Sequence, residues 1–216
     1  MPTFTDLVDR ARRLAGGPGR TVLGIAGSPG SGKSTLVEAL LLALREVLPA
    51  EAVAHVPMDG FHLADVALDR LGRRQAKGAP DTFDAGGYAA LLRRLRADAE
   101  DVIYAPAFER VLEQPLAGAI GVPQAARLVL TEGNYLLVDD ARWAPVRAEL
   151  DQVWFCDPDP DVRLAQLIAR HVEFGKSPEH ARAWVAAVDV PNAELVDHTR
   201  GRADLVVPAG VLAGLK

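Results

Sequence analysis

The chain has 216 residues, enough for one α/β core and too few for two comfortable domains. Apolar residues make up 49% and charged residues 25%, the make-up of an ordinary globular fold. A formal net charge of −5 argues against a general nucleic-acid binder, and a single cysteine, Cys156, excludes an internal disulfide framework and suits a reducing, cytoplasmic setting.

Residues 1–13 mix Asp6, Asp9, Arg10, Arg12 and Arg13 and lack the apolar run of a signal peptide. No stretch approaches the roughly 20 apolar residues of a membrane helix, so no membrane partner is expected. Residues 5–15 read as an amphipathic helix closed by Gly16-Gly17-Pro18-Gly19. Residues 21–26 form an apolar run that leads straight into glycines, the pattern of a buried strand. Residues 33–48 carry leucines at helical spacing up to Pro49, and 52–58 read as a second strand ending at Asp59. Residues 60–80 are a polar, basic loop with a short helix inside. A helix over 88–97 and a strand over 102–105 follow. Residues 106–123, with three prolines and two glycines, are expected to cover something. Further strands are expected at 128–131, 153–156 and 205–207, and helices at 161–174, 178–188 and 193–199. Strands alternating with helices predict an α/β three-layer sandwich, with a mostly parallel sheet of five or slightly more strands and helices on both faces.

The strongest local signal is Gly27-Ser28-Pro29-Gly30-Ser31-Gly32-Lys33-Ser34, followed by Thr35. It fits G-x-x-x-x-G-K-[ST] without a mismatch and lies between an apolar strand and a leucine-rich helix, as that motif requires. Glycines let backbone N–H groups turn inward around an anion, and the following helix aims its positive end at the phosphates. Lys33 is expected to reach the β- and γ-phosphates of ATP, and the Ser34 hydroxyl to ligate Mg²⁺.

In open parallel sheets, ligands collect beyond the carboxyl ends of the strands. Asp59 and Glu132 stand at two such ends. Phosphoryl transfer to a hydroxyl benefits from one carboxylate that orients the acceptor and takes its proton, and from another near Mg²⁺, directly or through water. The first role is assigned to Asp59 and the second to Glu132.

With these residues placed, the chain resembles the P-loop kinases that include uridine kinase, phosphoribulokinase and type I pantothenate kinase. Four segments carry the resemblance: the phosphate loop; Met58-Asp59-Gly60-Phe61-His62-Leu63; Lys77-Gly78-Ala79-Pro80-Asp81-Thr82-Phe83-Asp84; and Thr131-Glu132-Gly133-Asn134-Tyr135. In length and in the Glu-Gly-Asn-Tyr segment it is most similar to small bacterial fructose-transport-associated kinases. The resemblance implies a single domain over 1–216, with an N-terminal helix within 1–19, an acceptor-binding region over 60–123 and a helical lid over about 159–190. It implies ATP-dependent phosphorylation of a small-molecule hydroxyl, with pantothenate-like, sugar and nucleoside acceptors all open. A slow, nucleotide-dependent regulatory binder is the rival from another class. Uridine kinases place an acidic segment where this chain has Gln75-Ala76-Lys77-Gly78-Ala79-Pro80, a departure that disfavours a nucleoside.

Arg163 and Arg170, two helical turns apart, are expected to clamp phosphates from the lid. Phe61, His62, Arg73, Lys77, Arg110 and Tyr135 are expected around the acceptor. Asn192 is a candidate contact or helix cap. No histidine spacing suits zinc. A homodimer is the default assembly.

Overall fold

The computed structural model describes residues 2–215. Helix α1 (Phe4–Ala15) opens with a capping box in which Thr3 and Asp6 satisfy each other's backbone N–H groups. Strand β1 (Thr21–Ala26), helix α2 (Lys33–Arg45) and the short strand β2 (Val53–His55) follow. Then come α3 (Asp65–Arg70), α4 (Ala85–Ala97), β3 (Val102–Glu109), β4 (Gln114–Pro123) and β5 (Leu128–Gly133). The rest comprises α5 (Ala144–Ala148), β6 (Gln152–Asp157), α6 (Pro160–Glu173), α7 (Pro178–Trp184), a π-helical turn (Val185–Asp189), α8 (Val190–Asp197), β7 (Leu205–Pro208) and α9 (Ala209–Ala213).

Five strands form one parallel sheet in the order β2-β5-β1-β6-β7. Its strands are apolar on both faces, and the period of two sorts their side chains into two cores. Val22, Val129, Val153 and Phe155 face one side, where they meet Tyr88, Leu92 and Trp143. Leu23, Ile25, Leu128, Leu130, Trp154 and Cys156 face the other, against Leu7 of α1, Leu36 and Leu40 of α2 and Leu212 of α9. This is the expected three-layer α/β sandwich. Cys156 is a buried strand thiol whose pKa burial pushes up to about 12, so it packs as an apolar side chain.

The strand expected at 102–105 does not join that sheet. It is the start of β3, which pairs antiparallel with β4 in a separate hairpin that also takes up much of the covering segment over 106–123. Its alternation explains the difference: Ile103 and Ala105 are buried while Val102 and Tyr104 are exposed, so only one face has a core to meet. The second strand is also shorter than expected. Val56 makes the last pairing, to Leu130 O at 2.9 Å, and Pro57, which has no N–H, ends the ladder. Residues Met58–Phe61 then form a 3₁₀ turn that carries Asp59.

Gly60 fixes where that turn sits. A Cβ on it would lie 2.3 Å from the Pro106 carbonyl oxygen, at the bulge between Ala105 and Ala107 of β3. The turn bearing Asp59 and the hairpin therefore touch backbone to backbone. Gly60→Ala is expected to cost about 1–3 kcal/mol by overpacking, a drop of several degrees in Tm by calorimetry; an unchanged Tm would mean the hairpin moves freely against the turn.

His55, on β2, has its pKa lowered from 6.5 to about 4, by burial chiefly, with Asp59 opposing. A proton that the unfolded chain binds from about pH 6.5 is refused by the folded chain until about pH 4. Stability is therefore expected to fall as pH drops through that window. Thermal melts across it should show a shallower fall in His55→Gln, and identical slopes would remove His55 from this role.

Candidate active site

The phosphate loop leaves the carboxyl end of β1 and turns into α2. Gly30 and Gly32 hold φ of 79° and 85°, in the left-handed region that glycine enters at no steric cost. Gly30 also packs closely on α6: an added Cβ would lie 3.1 Å from the Arg163 carbonyl oxygen. Lys33, at the first turn of α2, is 8% exposed. Its Nζ donates to the carbonyls of Gly27 (3.0 Å) and Ser28 (3.1 Å) and to Asn134 Oδ1 (2.8 Å). Burial pulls its pKa down, with the carboxylates of Glu132 and Asp59 opposing. Among the described residues it forms no ion pair with a carboxylate, so its charge is held ready for an incoming anion.

Ser34 Oγ donates to Glu132 Oε1 at 2.9 Å. Glu132 lies in β5 rather than just beyond it, because β1 pairs alongside as far as Gly133. Burial first, and the neighbouring charge of Asp59 second, raise the Glu132 pKa, while Lys33 and Ser34 hold it down. Asn134 follows one residue after β5. The termini of β1, β2 and β5 thus bring a lysine, two carboxylates and an amide to one end of the sheet.

Two cavities meet at the loop. One, about 420 Å³, is lined by Lys33, Ser34, Asp59, Glu132 and Asn134. The other, about 690 Å³, is lined by the phosphate loop and by Pro158, Val162, Phe174 and Leu212, with Glu38, Asp159, Gln166 and Glu173 among its polar side chains. Gly30, Lys33, Ser34, Arg110 and Arg170 border both. The arrangement suits two substrates that meet at one phosphate cradle.

The expected site residues divide into two groups. Pro29, Gly30, Lys33, Ser34, Asp59, His62, Lys77, Arg110, Glu132, Arg170 and Asn192 line the first cavity, and Ser31, Gly32 and Thr35 line the second. His62 rests between Phe83 and Phe108, with ring centroids 4.1 and 4.7 Å away, and its Nδ1 contacts the Asp59 carbonyl at 2.8 Å. Burial lowers its pKa, against the pull of Asp59, so the ring is held neutral. Gly27 and Ser28 shape the loop from behind: Gly27 accepts from Lys33, and Ser28 Oγ turns away to the Asp197 carboxylate and the Ala193 carbonyl.

Four more of the expected residues lie outside both cavities. Tyr135 is fully buried; its hydroxyl donates to the Gly78 carbonyl, and its ring packs on Trp143 at 5.2 Å. Phe61 packs into the same core against Tyr88 at 4.9 Å. Both are drawn inward because that face of the sheet is the larger core, and neither lines the cavity. Arg73 is taken by Asp81, at 2.7 and 2.8 Å, and also stays outside it. Arg163 reaches the loop's backbone, at Pro29 O (3.3 Å), but lines neither cavity. Phe83, Phe108 and Trp184 supply the aromatic walls instead. Asn134 lay inside a recognised motif with no role given to it.

The donor set fits a hard cation. Ser34 Oγ and the Glu132 carboxylate supply neighbouring oxygens. Among the described residues no group of three or more His, Cys, Asp or Glu is built to hold a metal. Mg²⁺ would be held here by these one or two protein oxygens, with phosphates and water completing its shell.

Fold and cradle together define a P-loop kinase. The model of the Phosphoribulokinase / Uridine kinase family matches residues 22–213, and the chain belongs to that family. It is 32% identical over 213 residues to a Schizosaccharomyces pombe protein named as a candidate uridine kinase, covering 96% of this chain and 91% of that one. It is 35% identical over 188 residues to the uncharacterized protein YggC of Escherichia coli K12, covering 87% and 77%. The crystal structure of a candidate fructose transport system kinase from Silicibacter sp. TM1040 superposes with a TM-score of 0.86 at 34% identity, over 96% of this chain and all of the other. No helix among the described residues is long and apolar enough to cross a membrane.

Because Lys33 is buried without a counter-charge, Lys33→Met is expected to leave the Tm of the nucleotide-free protein unchanged or raised. The same variant should lose most of the Tm rise that ATP gives the wild type. A variant that melts lower yet keeps that rise would contradict the role given to Lys33.

Proposed function

We propose that this protein is an ATP-dependent kinase that transfers the γ-phosphoryl group to a hydroxyl of a small metabolite. One observation carries the reading: Asp59 and Glu132 share a cavity with Lys33 and Ser34, while a second, more apolar cavity shares Gly30, Lys33 and Ser34 of the same loop. A nucleotide has a place for its nucleoside part there, and an acceptor has a place beside the carboxylates.

In this reading Lys33 and the loop's N–H groups hold the β- and γ-phosphates, and Arg170, which borders both cavities, adds positive charge where the phosphoryl group crosses. Asp59 orients the acceptor hydroxyl and receives its proton as the acceptor oxygen bonds to phosphorus and the β–γ bridge breaks, releasing ADP. Ser34 and Glu132 would hold Mg²⁺, whose chemistry when bound is to neutralise phosphate charge. His62, kept neutral between two aromatic rings, offers the acceptor a hydrogen-bonding group without competing for the proton. The hairpin and α6 meet over the cleft through Arg110, whose guanidinium lies 5.8 Å from the Phe174 ring centroid. That contact shields the crossing phosphoryl group from water.

Incubation with ATP-Mg²⁺ and a metabolite panel, read as ADP formation and phosphorylated product by mass spectrometry, tests the proposal. At least one hydroxyl acceptor is expected to be phosphorylated. Asp59→Asn should lower kcat by about 10²–10⁴ while ATP affinity by calorimetry stays within about twofold. Slow ADP release with no phosphorylated product, unaltered in Asp59→Asn, would favour a nucleotide-dependent regulatory protein instead.

A further inference from the structure

The charges around the smaller cavity do not cancel locally. Two of its six lysines and arginines are already answered. Arg74 meets Asp65 at 2.8 Å and Asp69 at 3.1 Å. Lys77 meets Asp65 at 2.7 Å and also donates to the Glu113 carbonyl. On the acidic side, Asp189 is taken by His171 Nε2 at 2.8 Å. Lys33 and Arg170 face the junction of the two cavities, where the nucleotide's phosphates would lie.

Two cations remain. Lys176 borders only the acceptor cavity, and Arg110 borders both. Among the described residues neither forms an ion pair. Each is instead braced on an aromatic ring: Lys176 Nζ is 5.2 Å from the Trp184 centroid, and the Arg110 guanidinium is 5.8 Å from that of Phe174. Such a contact holds a cation in place and leaves its N–H donors free. Of the four lining carboxylates, Asp189 is taken by His171, Asp59 and Glu132 are assigned to the acceptor hydroxyl and to Mg²⁺ in the reading above, and Glu113 is exposed at the hairpin turn.

A neutral acceptor would require both cations to lose water, as the site fills, with no ion-pair partner gained in return. A carboxylate or phosphate on the acceptor would give each a charge-assisted hydrogen bond, about twice as strong as a neutral one. From this geometry we infer that the acceptor is an anionic hydroxy compound, with Lys176 and Arg110 receiving its carboxylate or phosphate while its hydroxyl lies toward Asp59. This rests on the kinase reading above and narrows it to one substrate class. The cavity, about 420 Å³, has room for a small metabolite of this kind.

Matched acceptors that differ only in charge test the inference: glycerate with glycerol, gluconate with glucose, pantothenate with pantothenol, and ribulose 5-phosphate with ribulose. In any pair that turns over, kcat/KM for the anionic member should exceed that for the neutral one by about 100-fold. Lys176→Ala should raise the acceptor KM by about 10–100-fold, leave the ATP KM within about twofold, and be rescued largely by Lys176→Arg. Equal use of both members, or a Lys176→Ala variant with unchanged acceptor KM, would overturn the inference and leave the kinase reading standing. If no pair turns over, that result counts against phosphoryl transfer, and binding still decides the charge question. Anionic members should raise the Tm of the ADP-bound protein and neutral ones should not. Equal shifts, or none from the anions, would overturn it.

Discussion

Lys33 carries its charge into a largely buried position at the edge of both cavities, where the Gly27 and Ser28 carbonyls and the Asn134 amide oxygen take its hydrogen bonds. Neutral oxygens offset only part of the cost of burying an ammonium, several kcal/mol in a protein interior. The remainder is recovered when a phosphate arrives. The architecture follows from that requirement. β1 delivers the loop, α2 presents the lysine, and β5 supplies Glu132 and Asn134 next door, so each partner of the lysine or of Ser34 sits on, or within two residues of, a strand held on both sides.

The second constraint is that phosphoryl transfer needs two substrates and little water. The parallel sheet meets the first need by placing the loop at the junction of two cavities, with five residues common to both. The elements outside the sheet meet the second. The hairpin leans on the Asp59 turn through Gly60, and α6 leans on the loop through Gly30. Both arms are thus anchored within a residue or a few of the groups they cover. Their meeting point, Arg110 on Phe174, spans two segments far apart in the chain.

Much of this was legible in the residues. The eight-residue phosphate motif requires glycines at fixed places for a stated geometric reason, and its strand–loop–helix setting could be read from apolar spacing. The parallel sheet followed from strands buried on both faces. The hairpin was harder, because Val102-Ile103-Tyr104-Ala105 has the composition of a sheet strand, and only its exposure pattern separates it. Arg73 and Lys77 looked equivalent in one basic loop. Their fates depend on which acid lies within reach, Asp81 outside the cavity or Asp65 at its edge. Tyr135 and Phe61 lie two or three residues from motif acids yet point into the core, because both sit in irregular turns where strand alternation no longer fixes direction. Side-chain direction near an irregular turn is a tertiary outcome that no period announces.

The account stands or falls on where a bound nucleotide places its phosphates. A crystal structure with a non-hydrolysable ATP analogue and Mg²⁺ measures this directly. The β- and γ-phosphates are expected within hydrogen-bonding distance of Lys33 Nζ, with the nucleoside in the cavity beside Leu212 and the terminal phosphate directed toward the cavity that holds Asp59. An analogue bound with its phosphates away from Lys33, or with its terminal phosphate separated from Asp59 by the loop, would contradict it.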